Sequence, residues 1–202
     1  MIWLIGNRGM LGSAVELSLK DAGEAVIVSD REVDITDSDA IEQFLKKQCS
    51  SGKKLNWIIN CAAYTAVDKA EDEPVAAARL NSLGPKNLAA VAVHKDATLL
   101  HVSTDYVFDG EKEEGYTEDD QRSGLSIYGR TKWAGEAAVQ YSGAAYYIIR
   151  TAWLFGERGP NFVATMLSLF KAGKSVRVVD DQWGKPTYAG DLAETLVAFI
   201  ES

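Results

Sequence analysis

Five short apolar runs, each followed by a longer stretch of helical period, constrain this chain more than any other feature. The runs are IWLIG from Ile2, AVIVS from Ala25, LNWIINCAA from Leu55, ATLLHVS from Ala97 and AYYIIR from Ala145. The helical stretches cover 10–22, 37–50, 74–93, 127–142 and 161–172. Strict alternation of strand and helix predicts an α/β doubly wound sheet with parallel strands, since a parallel connection must cross over and a helix fills that crossover. Strands this apolar suit a sheet covered by helices on both faces. No repeat or Gly/Ser-rich linker interrupts the pattern, and 202 residues suffice for one core with at most a small appendage. The conspicuous polar stretch, Asp109 to Gly124, reads as a surface loop bordering a site.

The first turn carries chemistry. Gly6-Asn7-Arg8-Gly9-Met10-Leu11-Gly12 follows the first strand and opens the first helix. Glycines there permit a tight bend and let backbone N–H groups meet a pyrophosphate at the positive end of the helix. The spacing is GxxGxxG rather than GxGxxG, but a strand before and a helix after supply the context a bare glycine triplet lacks. A Rossmann-type sheet binding a dinucleotide is therefore expected. The second strand ends at Ser29-Asp30-Arg31, where an acidic residue accepts hydrogen bonds from the adenosine ribose. Asp30 favours NADH and the adjacent Arg31 favours the 2′-phosphate of NADPH, so both cofactors stay open.

Tyr128 and Lys132 stand four apart at the start of a helix, one turn from each other on one face. A phenol of ordinary pKa about 10 transfers protons poorly near neutrality, and a fixed cation beside it is expected to lower that pKa. Upstream, the fourth strand runs into Ser103-Thr104-Asp105-Tyr106, placing hydroxyls at the carboxyl end of a strand, where open α/β sheets bind ligands. Either Ser103 or Thr104 could polarise a carbonyl oxygen. Together these residues outline carbonyl–alcohol chemistry.

These features resemble the extended short-chain dehydrogenase/reductase superfamily. The runs Cys61 to Glu71 (CAAYTAVDKAE), Ser103 to Gly110 (STDYVFDG), Arg150 to Gly156 (RTAWLFG), Asn161-Phe162-Val163 and Asp181 to Thr187 (DQWGKPT) narrow the resemblance to the dTDP-4-dehydrorhamnose reductase family. The resemblance spans nearly the whole chain. It implies NAD(P)H-dependent reduction of the 4-keto group of dTDP-4-dehydro-L-rhamnose, with Tyr128 as proton donor, Lys132 holding the nicotinamide ribose and tuning Tyr128, and Thr104 on the keto oxygen. Asp105, Tyr106 and Trp153 would contact the sugar nucleotide. Gly6, Arg8, Gly9, Met10, Leu11, Gly12, Asp30, Arg31, Asp34, Ile35, Ala62, Ala63, Tyr64 and Thr65 would line NADPH or NADH. The alternatives are another nucleotide-sugar epimerase, dehydratase or reductase, and a non-catalytic dinucleotide-binding regulatory subunit.

The family's Asn/Ser-Pro-Leu approach to the tyrosine is replaced by Ser123-Gly124-Leu125-Ser126-Ile127, which predicts a more mobile loop. The resemblance divides the chain into a dinucleotide-binding domain, 1–150, and the start of a substrate-binding region with closing helices, 151–202. It suggests a chain shortened relative to the family, keeping cofactor affinity with weak or absent turnover, and it allows a homodimer. Lys and Arg number 21 against 29 Asp and Glu, a net charge of −8, which argues against nucleic acid and anionic membranes as partners. No apolar run approaches membrane-spanning length and no secretory leader is apparent, so a cytoplasmic protein is expected. Cys49 and Cys61 read as unpaired thiols, His94 and His101 as structural, and the acidic run Glu111 to Asp120 lacks the ligand rhythm of a metal loop, so no metal site is expected.

Overall fold

The computed structural model describes residues 1–49 and 52–201. Its elements, in chain order, are β1 (Ile2–Ile5), α1 (Met10–Asp21), β2 (Val26–Ser29), α2 (Ser38–Gln48), β3 (Trp57–Asn60), α3 (Val67–Asp72), α4 (Pro74–Ala78), α5 (Gly84–Lys95), β4 (Thr98–Thr104), α6 (Ile127–Gln140), β5 (Ala145–Thr151), β6 (Leu154–Phe155), α7 (Phe162–Lys171), β7 (Thr187–Tyr188) and α8 (Ala189–Glu201). β1 to β5 form one parallel sheet in the order β2-β1-β3-β4-β5. The order reverses between β1 and β3, and a crevice beyond the carboxyl ends of the strands at that switch point is where such sheets bind ligands.

The alternation of β1 separates two cores. Trp3 and Ile5 point into one with Ile41, Leu45, Leu88 and Val139, from α2, α5 and α6. Ile2 and Leu4 point into the other with Val15, Leu19, Ala193 and Leu196, from α1 and α8. All four β1 residues are buried, and each deeply buried aliphatic contributes roughly 1.5–3 kcal/mol. α8 thus closes the five-stranded sheet although it lies late in the sequence. β5 departs from the expectation of strands covered on both sides: Ala145, Tyr146 and Tyr147 are exposed, because β5 is an edge strand. Tyr147 gains cover edge-on from Phe199 of α8, with ring centroids 4.6 Å apart.

Local chemistry sets the boundaries. Asp37 caps α2, accepting from the Asp39 and Ala40 N–H groups at 2.9 and 3.3 Å. Ser126 caps α6 through the Gly129 N–H at 3.0 Å. Of the expected helix 37–50, Asp37 is therefore the cap, and Ser50 lies outside the described residues, as does Ser202. The expected helix 74–93 extends to Lys95 and contains a π-helical turn, Arg79–Leu83. α3 was not anticipated; it is separated from α4 because Pro74 disfavours helical backbone at Glu73, which adopts φ −122° and ψ 50°.

The remainder is less buried. β6 and β7 pair in parallel as a separate two-stranded sheet, and no residue of α7 is buried, with Phe162, Val163, Leu167 and Phe170 exposed. A depression of about 410 Å³ opens at the amino ends of the strands, lined by Met1, Asn56, Trp57 and Ile200. It lies at the opposite end of the sheet from the glycine turn. Among the described residues no helix is long and apolar enough to cross a membrane.

Candidate active site

At the switch point the glycine turn is built for close approach. Gly6 has φ +81°, and a Cβ there would stand 2.8 Å from the Ala62 nitrogen, so this turn abuts the chain leaving β3. A Cβ on Gly12 would stand 2.0 Å from the Gly6 carbonyl oxygen, which admits only hydrogen at that position. The turn closes through Gly9 N–H to Gly6 O at 3.0 Å, and no side chain caps α1. The first N–H groups of a helix lack intrahelical partners, so here they face the crevice as anion donors. Leu11 is core, leaving backbone as its contribution.

The end of β2 is organised around Asp30. Its two carboxylate oxygens accept the backbone N–H of Arg8 at 3.1 Å and of Arg31 at 2.8 Å, tying the strand end to the glycine turn. Arg8 pairs with Glu32 at 3.3 Å, both side chains being exposed, a contact worth under about 1 kcal/mol. Asp34 accepts the Thr36 N–H at 2.8 Å and approaches Arg79 at 3.8 Å. Hydrogen bonds from Thr36 hold its carboxyl below the usual range. It belongs to a turn, while the cap belongs to Asp37. Ile35 is a core side chain, pressed on Gly84, where a Cβ would come within 2.7 Å of its Cδ1.

One residue that sequence reasoning missed joins the two sides of the crevice. Asn81, buried in the π-helical turn, accepts the Tyr64 N–H at 2.8 Å and donates to Tyr64 O and to Thr131 Oγ1, both at 3.1 Å. It thereby fixes the Ala62–Thr65 segment to α6. A Cβ on Gly135 would stand 2.1 Å from Asn81 O, so that glycine admits the close helix contact. The available signal was a buried-capable Asn inside a helical pattern, a residue that competes with helical hydrogen bonding unless it is otherwise engaged. π-turns recur at functional sites.

Beyond β4, Thr104 Oγ1 donates to Asp105 at 3.0 Å and accepts the Tyr106 N–H at 3.3 Å. Tyr128, in the first turn of α6, is buried with its phenol facing Thr104 and its ring edge-on to Tyr106 at 5.5 Å. Burial pushes its pKa up to about 12, partly offset by the hydrogen bond with Thr104. Lys132 is buried one turn on and donates to Val102 O at 2.7 Å. Burial lowers its pKa to about 8, against the opposing charge of Glu136. The expectation that Lys132 lowers the pKa of Tyr128 is corrected here: its ammonium is committed to the Val102 carbonyl, and desolvation dominates the phenol. A phenol near 12 is fully protonated at neutral pH and still far more acidic than an alcohol, so it is chemically able to give a proton to an alkoxide.

Asp105 is pushed up by burial and restrained by Thr104. Ser103 points to the other face of β4, its Oγ buried without a strict hydrogen-bond partner, so Thr104 is the hydroxyl at the crevice. Trp153 is half exposed and held at φ +47°, a strained conformation for a bulky residue, with its indole against Gly184. The loop expected to be more mobile is pinned: Asp109 accepts from the Tyr116 and Ser123 hydroxyls, and Tyr116 stacks on Phe108 at 4.2 Å. Gly124 lets the chain pass Tyr106 O, which a Cβ would approach to 2.7 Å. His101 is buried and held neutral by desolvation, with Nδ1 3.0 Å from Asn60 Nδ2, and Cys61 is pushed up to about 12 by burial.

The glycine cradle, the uncapped start of α1 and the carboxylate at the end of β2 fit a dinucleotide. The family profile described as the RmlD substrate binding domain matches residues 1–202. The dTDP-4-dehydrorhamnose reductase of Mycolicibacterium smegmatis is 42% identical over 203 residues, covering 99% of this chain and 60% of that protein. The one from Streptomyces griseus is 44% identical over 199 residues, covering 97% and 64%. The chain thus spans 60–64% of the length of these curated relatives. Among solved structures, the dTDP-4-dehydrorhamnose reductase of Bacillus anthracis in complex with NADP superposes with a TM-score of 0.93 at 37% identity, covering 100% of this chain and 70% of that one. With its whole length matched in sequence and in fold, the chain belongs to the RmlD substrate binding domain family.

Proposed function

We propose that this chain reduces the 4-keto group of dTDP-4-dehydro-L-rhamnose to give dTDP-L-rhamnose, using NADPH or NADH. The observation that carries the reading is the meeting, at the carboxyl end of β4, of the Thr104 hydroxyl with the buried, protonated Tyr128 phenol, one helical turn from Lys132. When bound, the reduced dinucleotide supplies the hydride. Gly6, Gly9 and Gly12, with the N–H groups of Met10 and Leu11, receive its pyrophosphate. Arg8, Asp30, Arg31 and Asp34 border its adenosine end, and Ala62, Ala63, Tyr64 and Thr65 line the wall facing α1. Lys132 would hold the nicotinamide ribose, through the ammonium N–H groups not given to Val102 O.

Thr104 donates a hydrogen bond to the substrate's keto oxygen and draws charge towards it. Tyr128 then gives its proton to that oxygen, a transfer favoured because an alkoxide is a far stronger base than this phenolate. Asp105, Tyr106 and Trp153 orient the sugar nucleotide. In this reading residues 1–150, closed by α8, supply the dinucleotide-binding domain and the rest of 151–202 the start of the substrate side, in a cytoplasmic protein whose assembly allows a homodimer.

Turnover by the purified chain on dTDP-4-dehydro-L-rhamnose, with NADPH and NADH in parallel and the product identified by chromatography, tests this directly. Formation of dTDP-L-rhamnose with matching cofactor oxidation is expected. Dinucleotide binding with no product would support a non-catalytic binding subunit instead, and product without net cofactor consumption would support an epimerase.

A further inference from the structure

Tyr128 and Lys132 continue along α6 to a third buried polar residue at the same spacing. Glu136 is fully buried, four residues beyond Lys132. Its carboxylate accepts Arg150 Nε at 2.9 Å on one oxygen and Arg150 Nη2 at 2.8 Å on the other, a bidentate fork. Arg122 Nε adds a third bond at 3.1 Å. Arg150 comes from β5, in register with Ser103 of β4, and also donates through Nη1 to Glu118 O at 3.3 Å, while its guanidinium lies 5.0 Å from the centre of the Phe108 ring. Phe108 carries Tyr116 on its other contact, at 4.2 Å. The 109–124 segment is thus tied at Glu118 and Arg122 to side chains that meet on one carboxylate, with Tyr116 stacked on the Phe108 ring that borders Arg150, and Gly124 and the Ser126 cap lead from there into Tyr128.

The charges are unbalanced. Two cations, Arg150 and Arg122, pair with Glu136, and Lys132, one turn back on α6, feels the charge of the same carboxylate. The other titratable groups facing Lys132 are Cys61 at the end of β3 and His101 of β4, the one a neutral thiol and the other a neutral imidazole at physiological pH. Burial works against the Glu136 carboxylate, but the hydrogen bonds from Arg150 and the charges of both arginines keep it ionised. A pair placed only for stability would serve as well with a hydrophobic replacement. Here the same carboxylate lies one helical turn from Lys132 and is bonded to the arginine at the end of the site-bordering loop.

We propose that Glu136 is a positioning residue, which through Arg150 and Arg122 holds the Lys132 turn of α6 and the 109–124 segment in one frame. This rests on the dinucleotide-dependent reading given above, and the test separates the two. Binding of NADP⁺ to the full chain is titrated by fluorescence from neutral to mildly alkaline pH, and limited proteolysis within 109–124 is followed in parallel, for wild type, Glu136→Gln, Glu136→Asp and Arg122→Gln. Wild-type affinity should fall as pH rises through about 8, where Lys132 loses its proton.

In Glu136→Gln that fall should move at least about one pH unit lower, which is about fivefold weaker binding at the wild-type midpoint and approaches tenfold above it, and cleavage should quicken several-fold. Glu136→Asp should recover part of the pH displacement. Arg122→Gln leaves the Arg150 fork intact, so it should quicken cleavage while leaving the pH midpoint near that of wild type. A folded Glu136→Gln with the wild-type midpoint and cleavage rate overturns the proposal. If Glu136→Gln does not fold, Arg122→Gln decides: a segment as protected as in wild type overturns it. A wild-type chain that binds no NADP⁺ at any pH refutes the dinucleotide reading instead, and the cleavage comparison still tests the frame.

Discussion

Replacing Gly12 with alanine should damage both the fold and the dinucleotide cradle, by an amount the geometry bounds. The added Cβ would sit 2.0 Å from Gly6 O, 2.7 Å from Gly6 C and 3.0 Å from the Asn7 Cα, all backbone atoms that no rotamer change can move. Relief to ordinary contact requires α1 to shift by over about 1 Å from the turn. Overpacking of this kind costs about 1–3 kcal/mol, and the better helix propensity of alanine returns at most about 1 kcal/mol. A net loss of about 1–2 kcal/mol corresponds to roughly 2–8 °C in a domain of this size. The same shift withdraws the α1 N–H groups from the pyrophosphate. Loss of one charge-assisted hydrogen bond, about 1.5–3 kcal/mol, predicts NADP⁺ binding weaker by about tenfold to a hundredfold. Gly9→Ala is the comparison, because its Cβ would meet only Gly6 O, at 3.3 Å, and should cost less in melting temperature. Thermal melting without dinucleotide and calorimetric titration with it measure the two effects. A Gly12→Ala chain with wild-type melting and wild-type affinity would refute the packing of α1 on the turn.

Other consequences are equally direct. The buried Lys132 has a pKa of about 8 against an ordinary 10.5, so between those values the unfolded chain holds more protons and stability rises with pH. Urea unfolding of wild type and Lys132→Met should show a difference that moves in favour of wild type over that window, by up to roughly 3 kcal/mol; a difference independent of pH would contradict a cation buried at a cost. Asn81→Ala strips the partners of buried Tyr64 backbone groups and of Thr131, and should destabilise by about 2–4 kcal/mol and lower NADP⁺ affinity, read by melting and titration. Thr104→Val preserves shape and should leave dinucleotide affinity intact while lowering turnover by about 10²-fold or more, which steady-state kinetics on the keto sugar would show as a loss in kcat.

The parts of the fold that were legible in the sequence are those where one local rule decides. Apolar runs at strand length gave the sheet, and glycines at a strand–helix junction gave the cradle, because both follow from sterics within a few residues. α3 was missed because its boundary depends on the proline at position 74 acting on Glu73, and β6 and β7 because two-residue strands leave no period to read. Tyr128 and Lys132 stood out by their spacing, and Ser103 and Thr104 by their position at a strand end, with the resemblance alone favouring Thr104. What spacing could not give was the partner of each group: Lys132 turns to the Val102 carbonyl, so that burial rather than the cation governs Tyr128. Asn81, Glu136 and Arg150 escaped for the same reason, since their roles exist only where distant segments meet. Leu11 and Ile35 show the converse, neighbours of the crevice in sequence whose side chains the core claims.

The account stands or falls on the proton carried by Tyr128. Single-turnover reduction of dTDP-4-dehydro-L-rhamnose by NADPH, compared between wild type and Tyr128→Phe at matched dinucleotide occupancy, measures it most directly. The prediction is that the phenylalanine variant binds NADPH as wild type does but forms dTDP-L-rhamnose slower by about 10²-fold or more. Product formed at the wild-type rate without that hydroxyl would contradict it.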